Sequence, residues 1–429
     1  MTEGVVAVVG AGYSGTIAAV ELVRRGLQAV LIERSGRFAA GAAYGTRSPS
    51  HLLNVRAASM SAFDGAPGHF KEWLEAQGLG GASSFAARRD YHQYLEGIYE
   101  EAMQTGRLHP VQGEAATLGP GALRLAGGQD IGCDAVVLAG GNYPSRLPEM
   151  LRGPSALEDP WGAGGAEKLA ALAKGSGDVL LLGTGLTMVD VALSLSEAGF
   201  SGRMVATSRR GLVPHPHEEP ATPPLATPDP APLAQLLSEV RARAGGGSWR
   251  AAVDSLRPVS QIIWRGLSDQ EKRRFLRHLR PWWDVHRHRI APAVATRIAA
   301  LREQGRLEVI AGRISSVAKG TIEIARRNGG TARVVAAGII NCTGPEAMAA
   351  HIDDPLIRNL IASGTARPDP LGIGLDVDEA SRVRGSDGFP SERLYALGPL
   401  TRGAFWEIVA VPDIRGQARR VADRIAAAY

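Results

Sequence analysis

The sequence predicts an α/β fold built from two Rossmann-like dinucleotide-binding domains with a helical insertion. Three observations carry this. Two glycine-rich turns of one kind, Gly10-Ala11-Gly12-Tyr13-Ser14-Gly15 and Gly183-Thr184-Gly185-Leu186-Thr187-Met188, each follow a short apolar run and open a helical pattern. They are 173 residues apart, so each belongs to its own strand–turn–helix unit. A proline-rich run, Pro214–Pro232, then leads into a helical stretch from Leu233 to Arg302 that belongs to neither unit.

In the first unit, strand Val5–Val9 runs into the turn, and a helix is expected from about Gly15 to Arg25, stopped by Gly26. Strand Ala29–Ile32 ends in Glu33, followed by Arg34. Glycine tolerates the tight turn and lets a pyrophosphate approach the backbone, and the helix turns its free N–H groups toward the phosphates. Glu33 stands 18 positions after Gly15, where a carboxylate accepts hydrogen bonds from an adenosine ribose diol. In the second unit, strand Val179–Leu182 precedes the turn, and Met188 replaces the third glycine. The next strand, Met204–Thr207, ends in Ser208-Arg209-Arg210 without an acid. A carboxylate there would repel a 2′-phosphate, whereas a hydroxyl and guanidinium forks bind one, so this site is read as NADPH-binding. The competing reading leaves Arg209 and Arg210 as solvated surface charges.

The remaining elements divide the chain. Residues 1–150 form the first part of one nucleotide-binding domain, with helices over Gly68–Gln77 and Arg89–Gln104 and strand Cys133–Leu138 ending in Ala139-Gly140. Residues 151–213 form the second domain, 214–305 the proline-rich loop and basic helical insert, and 306–429 a return to the first domain. Within the insert, Phe275, Leu276 and Leu279 share a helix face, and Pro281 is expected to reset the chain before Trp282. Strand Leu394–Leu397, the turn Gly398-Pro399 and a C-terminal helix close the sequence.

Composition excludes several classes. There is no run of about 18 apolar residues for a membrane span and no basic-then-apolar leader at the N-terminus. Cys133 and Cys342, the only cysteines, make no CxxC pair, which removes a dithiol relay and fits a cytoplasmic protein. No Cys/His spacing suggests a metal. Residues 233–300 carry 13 Lys/Arg against five acids. With no nucleic-acid motif in the chain, this charge is read as steering NADPH and an anionic substrate.

Together these features resemble the two-dinucleotide-binding-domain flavoproteins of glutathione-reductase-like fold. The nearer likeness is to the FAD/NAD(P)-binding family that includes relatives of N-hydroxylating monooxygenases and bacterial FAD-dependent urate hydroxylases. Its marks are both glycine turns, Ala43-Tyr44, Leu53-Asn54-Val55, Ser208–Gly211, Arg280–Arg287, Asn341–Pro345 and Leu397 to Glu407. The resemblance implies FAD at the first turn and NADPH at the second. It places Tyr44, Asn54 and Met60 around the flavin, with Gly398-Pro399 setting a helix from about Ala404 beside its ring. The Phe-x-Gly-x-x-x-His signature of Baeyer–Villiger enzymes is missing from the crossover Leu157–Gly162, and disulfide reductases lack support without a cysteine pair.

With no thiol relay, electrons passing from NADPH to FAD are expected to reach O₂. The expected reaction is hydroxylation of a small polar nitrogen-containing or heteroaromatic substrate through a flavin C4a-hydroperoxide. Candidate catalytic residues are His286, Arg280 and Trp406, beside Trp283, His288 and His217 as further polar groups. Core packing for the tryptophans and helix-face pairing of Asp284 with His288 are the competing readings. Two other classes stay open: an NADPH oxidase or reductase without hydroxylation, and a flavin-bound redox sensor. The expected partners are a small-molecule substrate and O₂, with no nucleic acid or membrane, and a homo-oligomer stays open.

Overall fold

The computed structural model describes residues 4–218, 231–245, 248–318, 320–346 and 348–429. Its first sheet has six strands in the order Arg382–Arg384, Pro390–Ala396, Ala135–Leu138, Val5–Val9, Gln28–Glu33, Leu108–Gln112, all parallel except the first, edge strand. Val5–Val9 is central and its middle three residues are buried, as a strand covered on both faces requires. The chain leaves its C-terminal end toward one side and later returns on the other, so Gly10 sits at the topological switch point where open α/β sheets bind ligands.

The second sheet repeats this plan, in the order Thr321–Arg326, Leu307–Ala318, Met204–Ser208, Asp178–Leu182, Thr331–Asn341, Ala156–Leu157. Here Gly183 stands at the switch point. The expected return to the first domain at residue 306 is corrected by this arrangement. Leu307–Ala311 pairs with Met204–Ser208, and Ile339–Asn341 pairs with Leu180–Leu182. Residues 151–213 alone supply only three strands, with open edges on both sides of the central pair; the apolar strands after 306 close them. The crossing back therefore comes after Asn341. There the two connecting segments lie side by side: Asn341 Nδ2 donates to the Ser145 carbonyl at 2.7 Å, and the Ser145 and Thr343 hydroxyls meet at 2.7 Å. A small antiparallel sheet, Ala115–Gly119, Ala122–Leu125 and Asp130–Gly132, decorates the first domain.

Helix Tyr13–Arg24 is buried along all but its last residue between the first sheet and the C-terminal helix Val411–Ala426. That C-terminal helix starts at Val411, not near Ala404, because residues 404–410 form turns in which Glu407 takes a left-handed φ of 69°. The insert folds into helices Leu233–Gly245, Trp249–Asp254, Ser260–Gly266, Asp269–Arg274, Arg280–Arg287 and Pro292–Glu303. Pro281 does not reset the chain. A π-helical turn, Phe275–Leu279, joins the two helices around it, and Pro281 falls in the first turn of the second, where its missing N–H costs least. The part of the proline-rich run from 219 to 230 lies outside the described residues.

Most of the insert's basic residues are held by acids. Arg289 makes two bonds to Asp254, Arg250 reaches Glu218, Arg257 reaches Asp413 and Arg297 reaches Glu197. The charge excess read from the sequence is thus spent largely on structure, and Arg274 and Arg277 remain exposed. Among the described residues, no helix is long and apolar enough to cross a membrane, and no group of three or more His, Cys, Asp or Glu could hold a metal.

Candidate active site

The first glycine turn is closed by contacts that no side chain could share. Gly10 has φ 101°, and a Cβ on Gly15 would lie 1.7 Å from the Gly10 carbonyl oxygen. The helix that follows has Gly12 as N-cap, no side-chain cap and no acid in its first turn, so its first N–H groups are available to an anion. Glu33 lies at the end of the neighbouring strand. Its carboxylate accepts from the Ala11 N–H at 3.0 Å and from the Ser35 N–H and hydroxyl at 2.9 and 2.7 Å. Ser14 faces the third component, the Gly398-Pro399 turn: a Cβ on Gly398 would sit 3.0 Å from the Ser14 hydroxyl oxygen. Ala139 and Gly140 close the other flank, with the Ala139 carbonyl packed on Gly10. Glycine turn, acid, strand end and Gly398 turn therefore converge at one edge of the first sheet, and the cradle fits FAD.

Other expected cofactor residues lie elsewhere. Tyr13 is buried, and its side chain joins a core cluster with Tyr44 and Tyr91, its hydroxyl 3.4 Å from the carbonyls of Ala62 and Val411. Tyr44 packs on Tyr91 at 4.6 Å between ring centres. Met60 is 3% exposed within the same core. These three fill space behind the turn, because each lies on the side of the chain facing the apolar core. Arg34 is exposed and 3.8 Å from Glu114. Asn54 is half-buried, and its carbonyl accepts from His217 at 3.0 Å.

The second turn is more open. Gly183, with φ 121°, packs against the Cys342 carbonyl, but a Cβ on Gly185 would meet nothing within 4 Å. Helix Leu186–Glu197 again lacks a side-chain cap and a first-turn acid. Met188, at the third glycine position, is fully buried in the core of the second domain. Thr187 is half-buried. The Thr184 hydroxyl lies 2.8 Å from that of Ser208 and donates to the Leu212 carbonyl, while Ser208 also accepts from the Gly211 N–H at 3.0 Å. Ser208 is therefore committed to shaping the loop. Arg209 is exposed and Arg210 half-buried, and among the described residues neither guanidinium has a hydrogen-bond or ion-pair partner. The two units are fixed against each other by Arg88 and Asp190, 2.8 Å apart, and by His51 Nε2, 3.1 Å from the Asp190 carbonyl.

A third group of residues joins the insert to the segment after Gly398. Glu407 is 6% exposed. It accepts from the Trp283 indole N–H at 2.8 Å and lies 3.1 Å from Arg287 Nε and 3.4 Å from His288 Nε2. Burial by itself pushes this carboxyl up. The charges of His288 and Arg287 and the hydrogen bonds from His288 and Trp283 together outweigh it and hold the group down to about 2. His288 thus pairs with Glu407; Asp284 takes Arg280 at 3.5 Å instead. Burial and the nearby Arg280 charge lower the Arg402 guanidinium to about 10, and Arg402 has no ion-pair partner among the described residues.

The catalytic candidates fall around this group. Trp406 stacks on Trp264, with centres 4.7 Å apart and planes 26° apart, and meets Phe275 edge-on. His286 binds the Trp282 carbonyl through Nδ1 at 2.8 Å and packs on His215 at 4.6 Å. Both Trp406 and His286 line one cavity of about 500 Å³ inside the insert. Arg280 lies on the same helix as His286, beside Arg402, and does not line the cavity. Glu407, Arg287 and Arg402 also belong to this site, although no sequence motif marks them. A lone acid within Phe405-Trp406-Glu407-Ile408-Val409 was the available signal, since a carboxylate in an apolar run needs a buried partner.

A family model described as FAD-NAD(P)-binding matches residues 7–143. Against curated proteins the chain has no match. Among solved structures it is similar to an ornithine N-hydroxylase from Kutzneria sp. 744, described with reduced FAD, NADP+ and L-ornithine: 15% identity, 99% of both chains, TM-score 0.65. It is also similar to L-lysine 6-monooxygenase from Pseudomonas syringae, at 17% identity, 98% of both chains and TM-score 0.64. A bacillithiol disulfide reductase from Bacillus cereus matches at 13% identity, 99% of both chains and TM-score 0.56. At these identities the likeness concerns the fold. The chain has the fold of FAD-dependent oxidoreductases, and its N-terminal third carries an FAD-NAD(P)-binding domain, in line with the cofactors expected from the two turns.

Proposed function

We propose that this protein is an FAD-dependent, NADPH-using monooxygenase acting on a small nitrogen-containing or heteroaromatic substrate. The observation that carries the reading is the pair of uncapped glycine turns at the two switch points, the second followed by two arginines without a partner among the described residues. Gly10, Gly12, Gly15, Glu33, Ala139, Gly140, Gly398 and Pro399 would hold FAD. Gly183, Gly185, Thr187, Arg209 and Arg210 would hold NADPH, the arginines taking its 2′-phosphate by charge-assisted bonds. Bound FAD supplies a hydride acceptor for NADPH and, when reduced, the means of activating O₂.

The chain's own residues supply position, dryness and protons. Glu407 stays ionised and ties Trp283, Arg287 and His288 into one rigid wall. His286 donates through Nδ1 to the Trp282 carbonyl, which leaves Nε2 of the neutral ring as an acceptor at the cavity. That atom can take a proton from a bound substrate. A dithiol route has no support in this chain, because Cys133 and Cys342 are both buried and unpaired.

The reading is tested by following NADPH consumption, oxygen uptake and hydrogen peroxide release together over a panel of amines and nitrogen heteroaromatics. A substrate that is hydroxylated, with oxygen consumed and little peroxide released, is the expected result. Stoichiometric peroxide with every compound would make the protein an oxidase, and NADPH-driven reduction of an added acceptor without oxygen uptake would make it a reductase.

A further inference from the structure

Arg402 ends the short turn that begins at Gly398 and stands between that turn and the insert. Among the described residues its side chain makes no hydrogen bond and no ion pair. The nearby acids are already taken, Glu407 by Trp283, Arg287 and His288, and Asp284 by Arg280. Arg280, Arg287 and Arg402 therefore share two carboxylates, and one positive charge is left over. Burial, and then the Arg280 charge, lower Arg402 to about 10, and Asp284 and Glu407 do not restore it. A partly desolvated cation without a partner is costly to hold, and a bound anion relieves that cost.

An anion has a defined way in. Arg402 lines a slot of about 10 Å³, room for about one oxygen atom, together with Gly141, Asn142, Tyr143, Glu346 and Pro399. Gly141 and Asn142 continue the strand end Ala139-Gly140, and Pro399 belongs to the turn whose Gly398 packs on Ser14. The slot thus lies against two components of the flavin cradle. The guanidinium is half-buried and still open to solvent, so a ligand can reach it. Asn142 is exposed, and its carboxamide has no partner among the described residues, which puts a neutral donor beside the charge. The lining's carboxylate, Glu346, accepts from the Met348 N–H at 2.9 Å and lies beyond ion-pair reach of Arg402.

We infer that Arg402 selects the charge of the substrate: it binds a carboxylate, with Asn142 as the second donor, at the edge of the flavin cradle. The inference rests on the monooxygenase reading above and narrows it from small nitrogen-containing molecules to those that carry a carboxylate. The slot takes a carboxylate oxygen and leaves the rest of the molecule outside, so the arginine recognises the charge and not the ring or chain that bears it. Guanidinium forks suit this task, since they meet a carboxylate with two parallel donors. Reduced flavin offers an anionic oxygen of the same kind, and the test separates the two sources.

The FAD-loaded, oxidised protein without NADPH is titrated with acetate and with acetamide, which match in size and differ in charge. Difference absorbance of the flavin and calorimetry follow the binding. Acetate is expected to bind about 10- to 100-fold more tightly, the worth of a hydrogen bond to a charged group. Arg402→Gln is expected to abolish that preference, and Arg402→Lys, which keeps the charge and loses the fork, to retain part of it. Equal binding of acetate and acetamide in the unaltered protein, or a preference that survives in Arg402→Gln, would overturn the inference. A flavin reduction potential that falls in Arg402→Gln, in a protein that binds no acetate, would assign the charge to the reduced flavin and overturn it as well. Flavin reduction by NADPH is measured on the same preparation. Intact flavin reduction without acetate binding defeats the carboxylate site alone, and Arg402-dependent acetate binding without flavin reduction defeats the oxidoreductase reading alone.

Discussion

Replacing Glu407 by glutamine removes one charge from the network that joins the insert to the segment after Gly398. The side chain is 6% exposed, so solvent screens it little. Its carboxyl is held at about 2 against an ordinary 4.5, a displacement worth about 3 kcal/mol at about 1.4 kcal/mol for each pKa unit. Arg287, whose side chain is 12% exposed, would lose its carboxylate, and breaking a buried pair costs about 3–5 kcal/mol by itself. The two figures describe one interaction and agree. Because the folded carboxyl is depressed, its stabilisation is fully present above pH 4.5 and is lost as pH falls toward 2. Glu407→Gln is therefore expected to be less stable by about 3 kcal/mol at pH 7, with the gap about halved by pH 3. Urea unfolding monitored by tryptophan fluorescence reads both values, since Trp283, Trp264 and Trp406 report on this region. The left-handed backbone at 407 is common to both proteins and cancels. A gap below about 0.5 kcal/mol at pH 7, or one that widens with acid, would refute the assignment of Glu407 as the ionised centre of the network.

Arg209→Ser with Arg210→Ser is expected to raise the KM for NADPH by about 10- to 100-fold, the worth of one or two charge-assisted bonds, and to leave NADH unchanged; steady-state kinetics with both nucleotides checks it. Gly15→Ala would drive a methyl group into the Gly10 carbonyl, so the purified variant is expected to be colourless and less stable by at least about 1–3 kcal/mol, read from flavin absorbance and thermal unfolding. Asp413 is pushed up to about 6 by burial and by the Glu407 charge, with Arg287 and Arg415 opposing. Its folded form prefers the proton, so the cost of ionising it appears as pH rises from 3.8 through about 6. Asp413→Asn is expected to be more stable than the parent at pH 8, by less than about 3 kcal/mol because the Arg257 pair is lost with the charge, and by only about 0.5 kcal/mol at pH 4, measured by unfolding at both values.

Both glycine turns, their strands and the acid Glu33 were legible in the sequence, because local chemistry dictates them: a left-handed backbone and close carbonyl contacts admit only glycine. The boundary at 306 was not legible. Strands 307–318 and 331–341 look alike whichever sheet they join, and register with Met204–Ser208 and Leu180–Leu182 decides it. Tyr13, Tyr44 and Met60 follow the turn motif in sequence yet face the core, a matter of side-chain direction that spacing does not reveal. The insert's charge reads from sequence as a steering field because its acidic partners, Glu197, Glu218, Glu407 and Asp413, lie mostly outside it in sequence. The aromatic cavity was hidden for the same reason. Trp264 and Trp406 stack across a long sequence separation, and neither neighbourhood hints at the other.

In the proposed reaction, electrons enter at the Gly183 turn and reach a flavin seated at the Gly10 turn. Anaerobic titration of the purified protein with NADPH tests it most directly. The expected result is a yellow protein whose flavin absorbance bleaches stoichiometrically with NADPH, one flavin for each nucleotide, and much more slowly with NADH. A colourless protein that takes up no FAD, or a flavin that NADPH leaves oxidised, would contradict it.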